Sequence, residues 1–447
     1  MTFWIEALAT KTGPAYQRLA DGLHGAITSG TLTIGERLPP QRELAYELGV
    51  STGTITRAYD LATRRGDITA ITGKGSFVAS PASRTQDGPV NLRVNLPADV
   101  GQGVDLAAAL ARRTAADFLS YIPFGGSERD RAAGANYLSL GGVTAAPNDL
   151  VVTAGGQHAL TTALMIATNP GELILCEPFT FAGFLDFARL TGRHVLAIPA
   201  DKNGVRASAF EELCAKHKPA AAFLTPTGQN PTGTTLSLQR RKAIAKSAIK
   251  HRVTIIEDGL YDPLVPSVPP SLQSLASEQT FYVASLSKTV APGLRLGYLV
   301  CPDASRDAAN DMQHLLGMGP PKAMAEIATA LIESGSAKKM TRAQAIEITE
   351  RQKLARKILS QWIAQEDAYA PHLWLPLPSH WTSDAFTAAA EAEGVLISPA
   401  DHFAVDGLAN HVRLALGAAP DRATLEESLR KLAILLKKNP ARASRSV

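Results

Sequence analysis

The sequence predicts an α/β protein in which a small helical unit precedes a large domain built on a mainly parallel sheet. Three observations carry this. The chain has 447 residues, which at roughly 100–200 residues per domain exceeds a single small domain. Apolar residues make up 45% and charged residues 19%, a balance that supports a large packed core and argues against disorder. From about residue 91 onward, helical stretches alternate with the short apolar runs Leu150–Thr153, Leu173–Cys176, Ala221–Leu224, Val253–Glu257 and Phe281–Ala284. Strands alternating with helices form a parallel sheet with helices on its faces.

Residues 1–79 read as one small domain. Tyr16, Leu19, Leu23 and Ile27 recur every three or four positions and mark an amphipathic helix. Gly30 and Gly35 break it. Pro39-Pro40 then lead into a short helix with Leu44 and Leu48 on one face. Gly49-Val50 is a tight turn, and Ser51 is placed to N-cap a further helix whose inner face holds Ile55 and Tyr59. Gly66 ends that helix. Two short strands follow, Ile68–Ile71 and Ser76–Val78, joined by Gly73-Lys74-Gly75. Residues 80–90 are rich in Ser, Pro and Gly with no apolar period, and read as a linker. The second domain spans 91–447, and its basic end from Lys437 to Val447 reads as a solvated tail.

Composition excludes several classes. Cys176, Cys214 and Cys301 are widely separated, with no Cys-x-x-Cys pair, so neither a zinc ribbon nor a disulfide framework is indicated and no metal site is expected. The start, Met1-Thr2-Phe3-Trp4-Ile5-Glu6, is not a signal peptide, and no apolar run is long enough to span a membrane. A cytoplasmic protein is expected. The net charge of +4 is too mild to identify a nucleic-acid binder.

Helix, tight turn, helix is the skeleton of a DNA-reading motif, whose second helix needs a polar outer face for the major groove. The helix after Ser51 offers Thr52, Thr54, Thr56, Arg57, Arg64 and Arg65 opposite Ile55 and Tyr59. Residues 1–79 carry eight Lys/Arg against seven Asp/Glu, so spacing and charge alone also fit a purely structural three-helix module. The string Gly35-Glu36-Arg37-Leu38-Pro39, then Arg42-Glu43-Leu44-Ala45, Leu48-Gly49-Val50-Ser51, Thr54-Ile55, Arg57-Ala58-Tyr59, Gly66 and Gly73-Lys74-Gly75-Ser76-Phe77-Val78 resembles the GntR family of winged helix-turn-helix regulators. The resemblance implies that Arg42, Thr54, Arg57 and Lys74 contact double-stranded DNA, together with Thr52, which stands where the family usually has arginine.

The large domain places polar residues at the ends of apolar runs. Lys288 closes Ser285-Leu286-Ser287-Lys288 after one run. Asp258 follows a second, and Asn230 lies in Thr225-Pro226-Thr227-Gly228-Gln229-Asn230-Pro231-Thr232-Gly233 after a third. Open α/β sheets bind ligands at such strand ends. Singly, each has a plain explanation: a loop lysine, an N-cap, a turn. Their ordered set resembles the fold-type I, class I aminotransferases over about 91–435, a pyridoxal-phosphate (PLP) transferase fold with a smaller α+β C-terminal part. The resemblance makes Lys288 the Schiff-base lysine and catalytic residue, and Asp258 the partner of the pyridine nitrogen. Asn230 and Tyr261 bind the phenolic oxygen. Ser285, Arg295 and the backbone of Gly156 and Gln157 bind the phosphate. Phe181 stacks on the ring. Tyr121 reaches the phosphate of a partner subunit, which implies a homodimer through this domain. Arg413 grips an effector's α-carboxylate. Phe181 stands where tyrosine is commoner, and Gly156 where a bulkier hydroxyl residue is.

The two modules in this order resemble the MocR-type subgroup of GntR regulators. That resemblance implies a PLP-binding transcriptional regulator responsive to PLP or a small amino compound. Two alternatives stand beside it: a working aminotransferase with a vestigial DNA-binding module, since nothing catalytic is visibly missing, and a regulator that has lost PLP and uses the fold only to dimerise.

Overall fold

The computed structural model describes residues 4, 13–33, 35–71, 75–78, 88–363, 369–407 and 409–439. The chain divides into two compact units, residues 1–88 and 89–447.

In the first unit, α1 (Ala15–Thr28), α2 (Gln41–Glu47) and α3 (Thr52–Arg65) precede the antiparallel pair β1 (Ile68–Ile71) and β2 (Gly75–Val78). The apolar period of α1 buries Leu19 and Leu23 against Leu44, Ile55, Tyr59, Ile68 and Val78. Ser51 caps α3 as its sequence position requires, its Oγ accepting from Thr54 N at 3.1 Å. Gly66 ends α3 at φ 76°, a left-handed conformation that favours glycine. Thr56 Oγ1 donates to Gln41 Oε1 at 2.8 Å, and Tyr59 Oη donates to Pro39 O at 2.9 Å. Both bonds fix α3 against the entry to α2. Leu38 N donates to Ser76 O, which ties the strand pair to the chain before α2.

The second unit is built on a seven-stranded sheet: β3 (Leu150–Thr153), β4 (Leu173–Cys176), β5 (His194–Ala197), β6 (Ala221–Leu224), β7 (Thr254–Asp258), β8 (Thr280–Ser285) and β9 (Gly297–Val300), in spatial order β3-β9-β8-β7-β6-β4-β5. Helices cover both faces, so the strands are continuous apolar runs rather than alternating ones. Alternate side chains still go to opposite faces. Phe281 and Val283 pack with Leu160 and Leu164, while Tyr282 and Ala284 pack with Tyr137 and Leu331. β9 departs from the parallel pattern: it runs antiparallel to both β8 and β3. The connection from Ser285 to Gly297 holds no crossover helix, which a parallel return requires.

A smaller three-stranded antiparallel sheet follows, β10 (His372–Pro376), β11 (Ser398–Pro399) and β12 (His411–Ala415), in order β10-β12-β11. It is covered by helices at Ser383–Ala392 and Arg422–Lys437. Val90–Asn91 pairs with Val395–Leu396 beside it, so folded structure already includes the last residue of the 80–90 stretch read as linker; residues 80–87 lie outside the described residues. All three cysteines are free and buried, and burial pushes their thiols up, as expected of inert core residues. Among the described residues no helix is long and apolar enough to cross a membrane.

Candidate functional site

The strand ends do converge. β7 ends at Asp258, β8 at Ser285, and the loop after β6 carries Asn230. These residues, with Lys288, Tyr261 and Arg413, line one cavity of about 260 Å³. Gly156, Gln157, Phe181 and Arg295 line it too.

At one end is an anion cup. The helix Gly156–Ala167 opens here, and its N-cap residue, Gly155, has φ 92° and no capping side chain. Its first backbone N–H groups are therefore available to an anion. A Cβ on Gly155 would lie 3.0 Å from Arg295 Nη2, and one on Gly297 would lie 2.8 Å from the Gly155 carbonyl carbon. Only glycines let these segments close up. Arg295 holds φ 47°, a region in which a bulky side chain is strained, and its guanidinium is exposed beside the cup. Ser285 Oγ accepts from Ser287 N at 3.1 Å.

At the other end are the groups suited to a polar ring and an amine. Asp258 is buried, and loss of water raises its carboxyl to about 6, against the Leu260 N–H that it accepts at 3.1 Å. It is still mainly ionised at neutral pH and able to accept from a ring N–H. Lys288 Nζ donates to Asn95 O at 2.6 Å. Burial, helped by Arg413 and opposed by Asp258, lowers its ammonium to about 8. About a tenth of it is then the neutral, nucleophilic amine at pH 7. Covalent capture of an aldehyde by this lysine should accelerate from pH 6 to 8 as the proton leaves, and level off above. Stopped-flow absorbance checks this; a rate flat across that range would contradict the lowered ammonium.

Arg413, on β12, lies 4.6 Å above the Phe403 ring. Its Nη1 donates to Asn230 Oδ1 at 2.9 Å, and its Nη2 to Arg93 O. Nε is buried with no partner among the described residues. Burial lowers the guanidinium to about 10, which leaves it a cation at neutral pH. Orphaned Arg413 Nε, the uncapped helix and a lysine whose ammonium is lowered toward neutrality together fit a phosphorylated aldehyde such as PLP, with Arg413 placed for a carboxylate.

Phe181 precedes the helix Ala182–Leu190, and a Cβ on Gly183 would lie 2.6 Å from its ring and 2.6 Å from Gln157 Oε1. Gly183 thus lets both side chains settle over the cavity. Tyr121 does not line it; the side chain is 76% exposed on another part of the surface. The sequence reading missed Arg93, Asn95 and His372. Asn95 and His372 are bonded to each other 277 positions apart, and no local motif marks either.

In the first unit, Arg42, Thr52 and Arg57 are exposed on α2 and α3. Thr54 is partly buried, its Oγ1 lying 2.9 Å from Ser51 Oγ. Lys74 lies outside the described residues.

Comparison with known proteins agrees with both halves. Residues 88–432 match the family of class I and II aminotransferases, and residues 15–78 match the gntR family of bacterial regulatory proteins. The HTH-type transcriptional regulator YdeF of Bacillus subtilis is 26% identical, over 97% of this chain and 96% of the relative. The probable rhizopine catabolism regulatory protein MocR of Rhizobium meliloti is 26% identical, over 86% of each chain. Among solved structures, the α-aminoadipate aminotransferase LysN of Thermus thermophilus, complexed with N-(5'-phosphopyridoxyl)-L-leucine, superposes with a TM-score of 0.71 at 25% identity, covering 78% of this chain and 92% of that one. A gntR-type head and a class I and II aminotransferase domain on one polypeptide, matched along nearly the whole length of such regulators, mean that this chain belongs to the MocR-type branch of the GntR family.

Proposed function

We propose that the protein is a DNA-binding transcriptional regulator whose large domain binds PLP and senses PLP itself or a small amino compound. The observation that carries this is the meeting of Lys288, Asp258, Asn230, Tyr261 and Arg413 in one cavity, on a chain that also bears an exposed recognition helix. When bound, PLP supplies an aldehyde that condenses with amines and a ring that withdraws electrons. The protein's part is to hold it: the cup with Ser285 and Arg295 for the phosphate, Asp258 for the ring nitrogen, Phe181 for a ring face, and Lys288 as the resident amine. Arg413 is placed for an effector carboxylate.

The segment Arg93–Asn95 supports a route from ligand to head. Its carbonyls accept from Arg413 and Lys288, the two groups that an effector would engage. It follows the Val90–Asn91 strand, directly after the linker. A ligand that takes Lys288 and Arg413 competes for the bonds holding this segment. Coupling to DNA then requires unequal ligand affinity for two arrangements of the heads.

We read the working form as a homodimer through the large domain. Phe118, Leu119, Tyr121, Phe124, Leu315 and Met318 are exposed large side chains on one protomer, an unusual concentration for a surface left to water, and a second copy of the chain is the occupant proposed for it. Tyr121 would then belong to the partner's cavity.

The test is binding of the full-length protein to its own upstream intergenic DNA and to a scrambled control, with and without PLP, at two salt concentrations. Selective, salt-sensitive binding that PLP or an added amino acid alters is expected. Absence of selectivity in every condition, with steady turnover of an amino donor and a keto acid, would move the assignment to an aminotransferase.

A further inference from the structure

The cavity wall contains a hydrogen-bond chain that its known motifs leave unexplained. His372 Nε2 lies 2.9 Å from Gln229 O. A carbonyl can only accept, so Nε2 carries the hydrogen. His372 is buried, and burial with the nearby Arg413 charge pushes its imidazole down to about 3, so the ring is neutral and Nδ1 is a bare lone pair. The Asn95 side-chain amide stands 3.0 Å from Nδ1. Only the NH₂ end of the amide can satisfy a lone pair, which settles which end of Asn95 points where.

The same nitrogen lies 3.1 Å from Tyr261 Oη and donates to it. The phenol oxygen therefore accepts from Asn95, and its own proton is left for another acceptor. Tyr261 lines the cavity beside Asn230, where the proton has an acceptor when a ligand oxygen arrives. Asp258 and Arg413 are the charged groups that face this hydroxyl, with opposite effects on it, and burial holds the phenol up at about 12, so the proton is present at neutral pH. Lys288 faces the same space, and its Nζ is held by the backbone oxygen of Asn95.

We propose that Asn95 is a positioning residue that, locked by His372, turns the Tyr261 hydroxyl proton into the cavity as a donor to the phenolic oxygen of bound PLP. This rests on the PLP reading above and deepens it. A donor there stabilises the anionic oxygen, so losing it makes the lysine-bound cofactor hold its proton to higher pH.

The experiment uses the full-length, PLP-loaded protein and follows the pH midpoint of its visible absorbance, alongside PLP release on dialysis. Tyr261→Phe is expected to raise the midpoint by about one unit. Asn95→Leu, similar in shape but without donors, should raise it in the same direction, and should add nothing once Tyr261 is Phe. His372→Leu leaves Asn95 and Tyr261 in place but removes the lone pair that orients the amide; it should raise the midpoint by less, and serves if Asn95→Leu does not fold. Equal shifts from Asn95→Leu in both backgrounds, or no shift from Asn95→Leu and His372→Leu, would overturn the assignment while the PLP reading stands. A parent protein with no lysine-dependent absorbance would overturn the PLP reading, and this inference with it.

Discussion

Lys288→Ala abolishes covalent retention of PLP. After borohydride reduction and denaturation, the parent protein should keep the cofactor's mass and the variant should keep none. The expectation follows from inventory: Lys288 is the only lysine lining the cavity among the described residues. Its environment makes the proton easier to lose, since burial and Arg413 favour that loss more than Asp258 opposes it. The loss should be specific. The cup at Gly155 and Gly156, Arg295 and the Asp258 carboxylate all remain, so the variant should still bind PLP reversibly, more weakly. The fold should survive, because the substitution removes a buried cation, whose desolvation costs stability, together with its bond to Asn95 O. A variant that keeps the full reducible mass would show that another lysine is the attachment point. If effector response is also lost while basal DNA binding persists, the covalent bond is part of sensing rather than a relic.

What the sequence revealed and what it hid follow from one distinction. Features set by neighbours along the chain were legible. Ser51 caps α3 because a side-chain oxygen there reaches Thr54 N three residues on, and Gly66 stops it because its φ is positive. Strands such as Ala221–Leu224 stand out because a sheet covered on both faces must be apolar throughout. The polar residue just past such a run is marked by contrast, which is why Asp258, Ser285 and Lys288 could be named. Features set by tertiary closure were not legible. Gly297–Val300 is apolar enough for a strand, yet its antiparallel place between β3 and β8 depends on a short return that periodicity does not encode. Asn95 gains its meaning from His372, Tyr261 and Lys288, which arrive from three later elements. Gly183 matters only because Phe181 and Gln157 cross above it. The resemblance to a family supplied Tyr121 and Arg413, which no local pattern would have singled out.

Arg57→Ala should weaken binding to the operator by roughly ten- to a hundredfold, the cost of about 1–3 kcal/mol for a lost arginine contact, and leave PLP retention unchanged. Residues 1–79 have eight basic and seven acidic side chains, so affinity cannot come from bulk charge and must rest on a few placed cations. Arg57 is exposed on α3 while its neighbours Ile55, Ala58 and Tyr59 are buried, so its side chain is on the face turned away from the core. Its importance is raised by Thr52, which puts a short hydroxyl rather than a cation at the start of α3. Titration of binding against salt, on operator and scrambled DNA, then separates two roles. A phosphate contact would weaken both DNAs alike and reduce the salt slope by about one. A base contact would spare scrambled DNA and narrow the gap between the two, because base edges carry the sequence information. Unchanged operator affinity together with unchanged PLP retention would remove α3 from the DNA interface. Arg42, another exposed cation of the motif at the start of α2, would then be the next to test.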